Sequence, residues 1–199
     1  IEESLKAFDE LVREGKVRYI GTSNDTAYGL TKANETSKNK NLARFESIQN
    51  NFSLLNPRFL DELSTVCKKE NISLLPYSPI GGGVLSGKYN NAFYPEDARF
   101  SAYMKHENPR VQAQATRFVN DKTIAATIKY LELAREYGIS PVTLAVAYSI
   151  HFDFVSSTII GARTSEQLDE SLKAFNFAID NELLSKIEHI KKEILYPMG

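Results

Sequence analysis

The chain has 199 residues, 42% of them hydrophobic and 25% charged, enough for one domain with a substantial core. A net charge of -1 removes the broad basic field expected of a protein that grips nucleic acid or an anionic membrane. Cys67 is the single cysteine, which excludes an intrachain disulfide and suits a reducing, cytoplasmic setting. No apolar run approaches the ~18 residues that a membrane helix needs.

The opening IEESLKAFDE is acidic and amphipathic rather than signal-like. It lacks an initiator Met and starts at once in helical pattern, so the expectation is a chain that begins inside a larger domain. Leu5, Phe8, Leu11 and Val12 share one face of a predicted helix that Gly15 closes. VRYIG then reads as a buried strand ended by Thr22, Ser23 and Asn24, with a helix over 25–38. ESIQNNF, residues 46–52, reads as a second strand. Asn56 and Pro57 make a cap and first-turn pair, predicting a helix from there to about Glu70.

Ile72 to Leu75 opens a third strand, over 72–76, that empties through Pro76 and Pro79 into Gly81, Gly82 and Gly83 and ends on Ser86, Gly87 and Lys88. Glycines let a backbone approach a ligand closely, and lysine adds a point charge, so the loop suits a phosphate. A plain turn explains it equally well from these residues alone. Residues 89–120 show no clean period and read as a long connection holding one short helix; such a length usually serves a site. A helix follows over 121–137. Gly138 stops it, and Ser140 with Pro141 starts the next. VSSTIIG, 155–161, reads as a fourth strand, and Thr164 with Gln167 as a capping box. The last helix, from Asn181, carries Leu183, Ile187, Ile190 and Ile194 on one face.

Four strand–helix repeats predict an α/β fold with a parallel sheet under helices, of the kind that closes into a barrel of β-loop-α units. A full eight-unit barrel runs to about 250 residues. Four units cannot close. They leave two open sheet edges and an inner face expected to be apolar, and hence poor solubility or self-association in isolation.

The blocks GKVRYIGTSN, SIQNNFSLLN, LLPYSPIGGGVLSGKY and TIIGARTSEQLDESL, in this order, with the closing YPMG, closely resemble the C-terminal half of aldo/keto reductases. The likeness runs nearest to the bacterial Tas-like branch, itself similar to the potassium-channel β-subunit branch. It implies that residues 1–199 are a partial domain, strands five to eight with their helices from a (β/α)8 TIM barrel. The stretch 81–120 would be the connection after the seventh strand. It also implies a nicotinamide cofactor at the C-terminal ends of the strands.

The family's proton-donating Tyr and its Lys, Asp and His partners lie on the first four strands, so the resemblance implies no catalytic residue here. The partner implied is the missing N-terminal half. The activity implied for the intact parent is NAD(P)H-dependent reduction of a small carbonyl substrate, an aldehyde or ketone, to its alcohol, with this chain inactive alone. Two other readings stand: a cofactor-binding regulatory or redox-sensing subunit with little turnover, and a half-barrel that pairs with a complementary half.

On the same match, Ser23, Asn24 and Gln49 would hold the nicotinamide carboxamide, which needs groups that both give and accept hydrogen bonds. Tyr77 would stack on the nicotinamide ring. Ser78, Pro79, Ile80, Gly81 and Gly82 would follow the pyrophosphate, with Lys88 and Arg99 adding charge; the family loop reaches Arg99 only through a one-residue insertion. Gly161 and Arg163 would lie at the adenosine phosphate, and Gln167, Glu170 and Ser171 at adenosine. Ser171 stands where the family usually has Asn. Gly161 and Ala162 replace a Lys-Ser pair that some branches use for the 2′-phosphate. Arg163 can substitute, which favours NADP and leaves NAD open.

Competing structural roles are a helix cap for Ser23 or Asn24, a buried strand polar group for Gln49, a core tyrosine for Tyr77 and a capping partner for Gln167. The three histidines, His106, His151 and His189, lack metal-ligand spacing, and no metal is expected. His151 is expected to be packed and Cys67 to be inert core. Tyr89 and Tyr94 are poor substitute proton donors, because no motif sets a Lys or Asp beside them.

Overall fold

In a computed structural model, residues 1–90 and 94–198 are described; three residues of the 81–120 connection and the last residue of YPMG lie outside them. The order is α1 (Glu2–Arg13), β1 (Ile20–Ser23), α2 (Ala27–Lys40), β2 (Phe45–Asn51), α3 (Leu63–Glu70), β3 (Ser73–Tyr77), α4 (Arg99–Met104), α5 (Pro109–Phe118), α6 (Asp121–Glu136), α7 (Pro141–Ile150), α8 (Ser165–Leu172) and α9 (Asn181–Glu193). β1, β2 and β3 form a parallel sheet in chain order.

The predicted fourth strand lies beside β3 but makes only two isolated parallel bridges, Leu74 with Val155 and Tyr77 with Ile159. Leu74 sets the first rungs: its N–H donates to the Phe154 carbonyl at 2.7 Å and its carbonyl accepts from Ser156 at 3.1 Å. The next residue of β3 facing that way is Pro76, which has no N–H to give. Its carbonyl instead accepts from Ile159 at 2.8 Å, a one-residue slip that ends the regular ladder.

In β3, Leu74 and Pro76 are buried while Ser73, Leu75 and Tyr77 are half-buried. One face of the sheet therefore lies under helices and the other is open. The open face is mixed rather than wholly apolar as expected: Ser47 and Gln49 of β2 and Ser73 of β3 are half-buried there, beside Leu75. The packed side holds the main core, where Phe52 stacks on Tyr148 at 5.6 Å and meets Phe152 edge-on at 5.4 Å. Ile48, Leu74 and Ile187 are fully buried with them.

The single helix expected from Asn56 to Glu70 is broken. Asn56 spends its side-chain N–H on the Asn51 side chain at 3.1 Å, so it ties back the end of β2 rather than capping a helix. A short 3-10 turn, Arg58–Leu60, precedes α3. The stretch 89–120 holds two helices rather than one. Asn108 caps α5 through Arg110 N–H at 2.9 Å with Pro109 in its first turn. Phe100 of α4 stacks on Phe118 of α5 at 4.9 Å, both buried. His151 is exposed at the end of α7, edge-on to Phe152, not packed. Cys67 is buried, and burial pushes its thiol up to about 11.

Candidate functional site

Parallel strands bring their C-terminal ends to one rim, and the residues just beyond them meet there. β1 ends in Ser23, whose hydroxyl donates to the Gln49 carbonyl of β2 at 3.0 Å. Asn24 follows in the left-handed region at φ 53°, which Asn tolerates better than most residues. Its N–H donates to the same Gln49 carbonyl at 3.0 Å, and its side-chain N–H donates to the Ser23 hydroxyl at 3.1 Å. From the end of β3, the Tyr77 hydroxyl donates to Asn24 Oδ1 at 2.8 Å. Neither Ser23 nor Asn24 caps the next helix. That role belongs to Thr26, whose hydroxyl accepts from Gly29 N–H at 3.0 Å. The Gln49 side chain is half-buried and has no hydrogen-bond partner among the described residues.

Tyr77 also borders a cavity of about 590 Å³, within the usual range for small-molecule sites. Ser78, Pro79, Ile80 and Gly82 line it on one side, and Gly161, Arg163, Gln167 and Ser171 on the other. Ser78 adopts φ 54° without being glycine, a backbone strain of the kind that gathers at binding sites. Lys88 and Arg99 reach the cavity from beyond the glycine loop. The Arg99 guanidinium lies over the Tyr103 ring at 5.4 Å. Burial, and secondarily the charge of Arg163, lowers the pKa of Lys88 below the ordinary lysine value, against a smaller opposing pull from Asp97. Three cations thus face one carboxylate, that of Asp97.

Five residues named from the sequence do not line this cavity: Ser23, Asn24 and Gln49, which meet at the rim beside it, and Gly81 and Glu170. Gly81 is buried, and a side chain there would meet Leu55 at 3.1 Å, so it faces the core. The Glu170 carboxylate is taken by the Ser140 hydroxyl, and the Glu170 carbonyl accepts from Thr143 at 2.9 Å, so this residue ties α8 to the start of α7. Gln167 keeps half of its capping role. Thr164 accepts from its N–H at 3.4 Å, but Gln167 Oε1 bonds Arg163 N–H at 3.0 Å, one residue before the cap. The Ser171 hydroxyl donates to the Gln167 carbonyl at 3.1 Å.

Asp97 is the site residue that sequence reasoning missed. It pairs with Arg163, N–H to carboxylate at 2.9 Å, across 66 positions of chain. It sits in the aperiodic stretch, where no local pattern could have marked it. Tyr89 is fully buried and its hydroxyl accepts from Phe100 N–H at 3.2 Å, so it packs in the core, where burial also raises its pKa. Among the described residues, no helix is long and apolar enough to cross a membrane.

The chain is 34% identical over 195 residues to Protein tas of Escherichia coli K12, covering 98% of this chain and 54% of that protein. It is 29% identical over 193 residues to a putative voltage-gated potassium channel subunit beta of Schizosaccharomyces pombe, covering 96% of this chain and 55% of that one. The uncharacterized oxidoreductase YrpG of Bacillus subtilis matches at 29% over 191 residues, 95% of this chain and 53% of YrpG. The chain therefore spans about half the length of the curated relatives it matches. The aldo/keto reductase family model matches residues 1–192, and the chain belongs to the aldo/keto reductase family.

Proposed function

We propose that this chain is the cofactor-gripping, C-terminal half of a (β/α)8 barrel and that the intact protein reduces aldehydes or ketones with NADPH. The observation that carries the proposal is the joining, at one rim, of an amide-rich end and a cationic end. Ser23, Asn24 and Gln49 are tied to Tyr77, and Tyr77 borders the cavity that holds Lys88, Arg99 and Arg163. The residues present fit a nicotinamide dinucleotide. Ser, Asn and Gln can both donate to and accept from a carboxamide, and the cations suit phosphates.

When bound, the cofactor would supply hydride to the carbonyl carbon. The chain's own residues would do the rest. Tyr77 would cover one face of the nicotinamide ring. Ser78, Pro79, Ile80, Gly82 and Lys88 would run along the pyrophosphate, and Arg163 would meet the 2′-phosphate, which favours NADP over NAD. Gly161, Gln167 and Ser171 would border the adenosine. Glu170 would act through α7 rather than by touching the ligand. The acid that protonates the substrate oxygen would come from the complementary half, which would also close the edges of β1 and of residues 155–159. A cytoplasmic location fits the same reading.

Titration of NADPH and NADH against the full-length protein, with turnover on a panel of small aldehydes, tests this. Binding with turnover supports the enzyme reading. The similarity to the channel-subunit relative favours a second reading, a cofactor sensor, which predicts tight binding with little turnover. Failure to bind either dinucleotide removes both.

A further inference from the structure

The Tyr77 hydroxyl is committed before any ligand arrives. It donates to Asn24 Oδ1 at 2.8 Å, while Asn24 Nδ2 donates to Ser23 Oγ at 3.1 Å and Ser23 Oγ donates to the Gln49 carbonyl at 3.0 Å. An Asn amide has two distinguishable ends, and each hydrogen bond to it narrows the orientations it samples. Here both ends are held.

We infer that Tyr77 is a positioning residue that acts through Asn24: its hydroxyl, as distinct from its ring, sets the orientation of the Asn24 amide that meets a nicotinamide carboxamide. The inference rests on the cofactor reading above and adds a role to it. With the flip fixed, the second Nδ2 hydrogen and the second Oδ1 lone pair of Asn24 remain for a ligand. A carboxamide matches that pair, one acceptor and one donor, and a carboxylate does not. With the hydroxyl removed, the amide is held at one end only, by Ser23 Oγ, and loses part of the preorganisation that makes a hydrogen bond count toward binding.

The test uses Tyr77→Phe, which keeps the ring, with two probes on the full chain. The first is NADP. The second is 2′-phospho-ADP-ribose, which lacks the nicotinamide. Loss of one oriented hydrogen bond should weaken NADP about fivefold and leave 2′-phospho-ADP-ribose unchanged. In an Asn24→Ala background, Tyr77→Phe should have no further effect on NADP, because the two residues act as one unit. A merely structural role for the hydroxyl would weaken both probes alike. Equal loss for both probes, no loss for either, or additive losses in the double variant would overturn the inference. Wild-type protein that binds neither probe would instead sink the cofactor reading, and this inference with it.

Discussion

Asp97 and Arg163 join the two sides of the cavity: one guanidinium N–H reaches the Asp97 carboxylate at 2.9 Å and another the Asp97 carbonyl at 3.1 Å. The pair fastens the end of the 81–98 segment to the turn before α8 and partly neutralises the cation best placed for a phosphate. Both side chains are well exposed, at 63% and 77%, so the pair contributes under ~1 kcal/mol to folding. Asp97→Asn should therefore leave the melting temperature nearly unchanged. It should strengthen binding of a phosphorylated nucleotide by roughly three- to tenfold at low salt, with the gain shrinking as salt rises. Titrations at two ionic strengths check it.

Arg163 and Lys88 should fail in different ways. Arg163→Ala should cut the preference for NADP over NAD by about tenfold, the scale of one charge-assisted hydrogen bond. Lys88→Ala should weaken both dinucleotides by similar factors. Four titrations, two variants against two cofactors, separate these outcomes.

The lowered pKa of Lys88 sets a pH dependence. In the free protein Lys88 gives up its proton at a lower pH than an ordinary lysine, because burial penalises the ammonium. A bound phosphate would favour the ammonium and raise the pKa again. Binding then takes up a proton, so affinity should fall as pH rises through the free-state pKa, below the range where a normal lysine titrates. Lys88→Arg, which keeps its charge, should flatten that fall. Isothermal titrations in buffers of different ionisation enthalpy would read the proton uptake directly.

Gly82 should resist any side chain. It holds φ 63°, and a Cβ there would lie 2.6 Å from the Phe100 ring, which is itself buried. Gly82→Ala should cost about 1–3 kcal/mol from backbone strain and overpacking together. Thermal unfolding checks it. The same geometry shows that this glycine serves the loop's own packing, against α4.

Much of this protein was legible before folding was considered. Two caps were: Ser140 accepts from Val142 N–H at 3.1 Å, as Ser-Pro at 140–141 predicts, and Gly15 closes α1 at φ 71°. These signals act within a few residues, so local sequence carries them. The positions of β2 and β3 were legible to within a residue, whereas β1 runs over Ile20–Ser23 rather than over VRYIG, 17–21, so that Thr22 and Ser23 lie inside the strand they were expected to follow. Asn108-Pro109 carried the same kind of start signal and went unread, because the aperiodic run around it hid the helix.

Tertiary structure decided what depends on neighbours far along the chain. Asn56 looks like a helix cap until Asn51 is found beside it. The fourth strand looks regular until Pro76 of its neighbour withholds an N–H. Glu170 looks available to a ligand until Ser140 takes its carboxylate, and Arg163 looks free until Asp97 arrives from 66 residues away. Each polar group has only a few places for hydrogen-bond partners, and only the folded arrangement determines which of several eligible groups fill them.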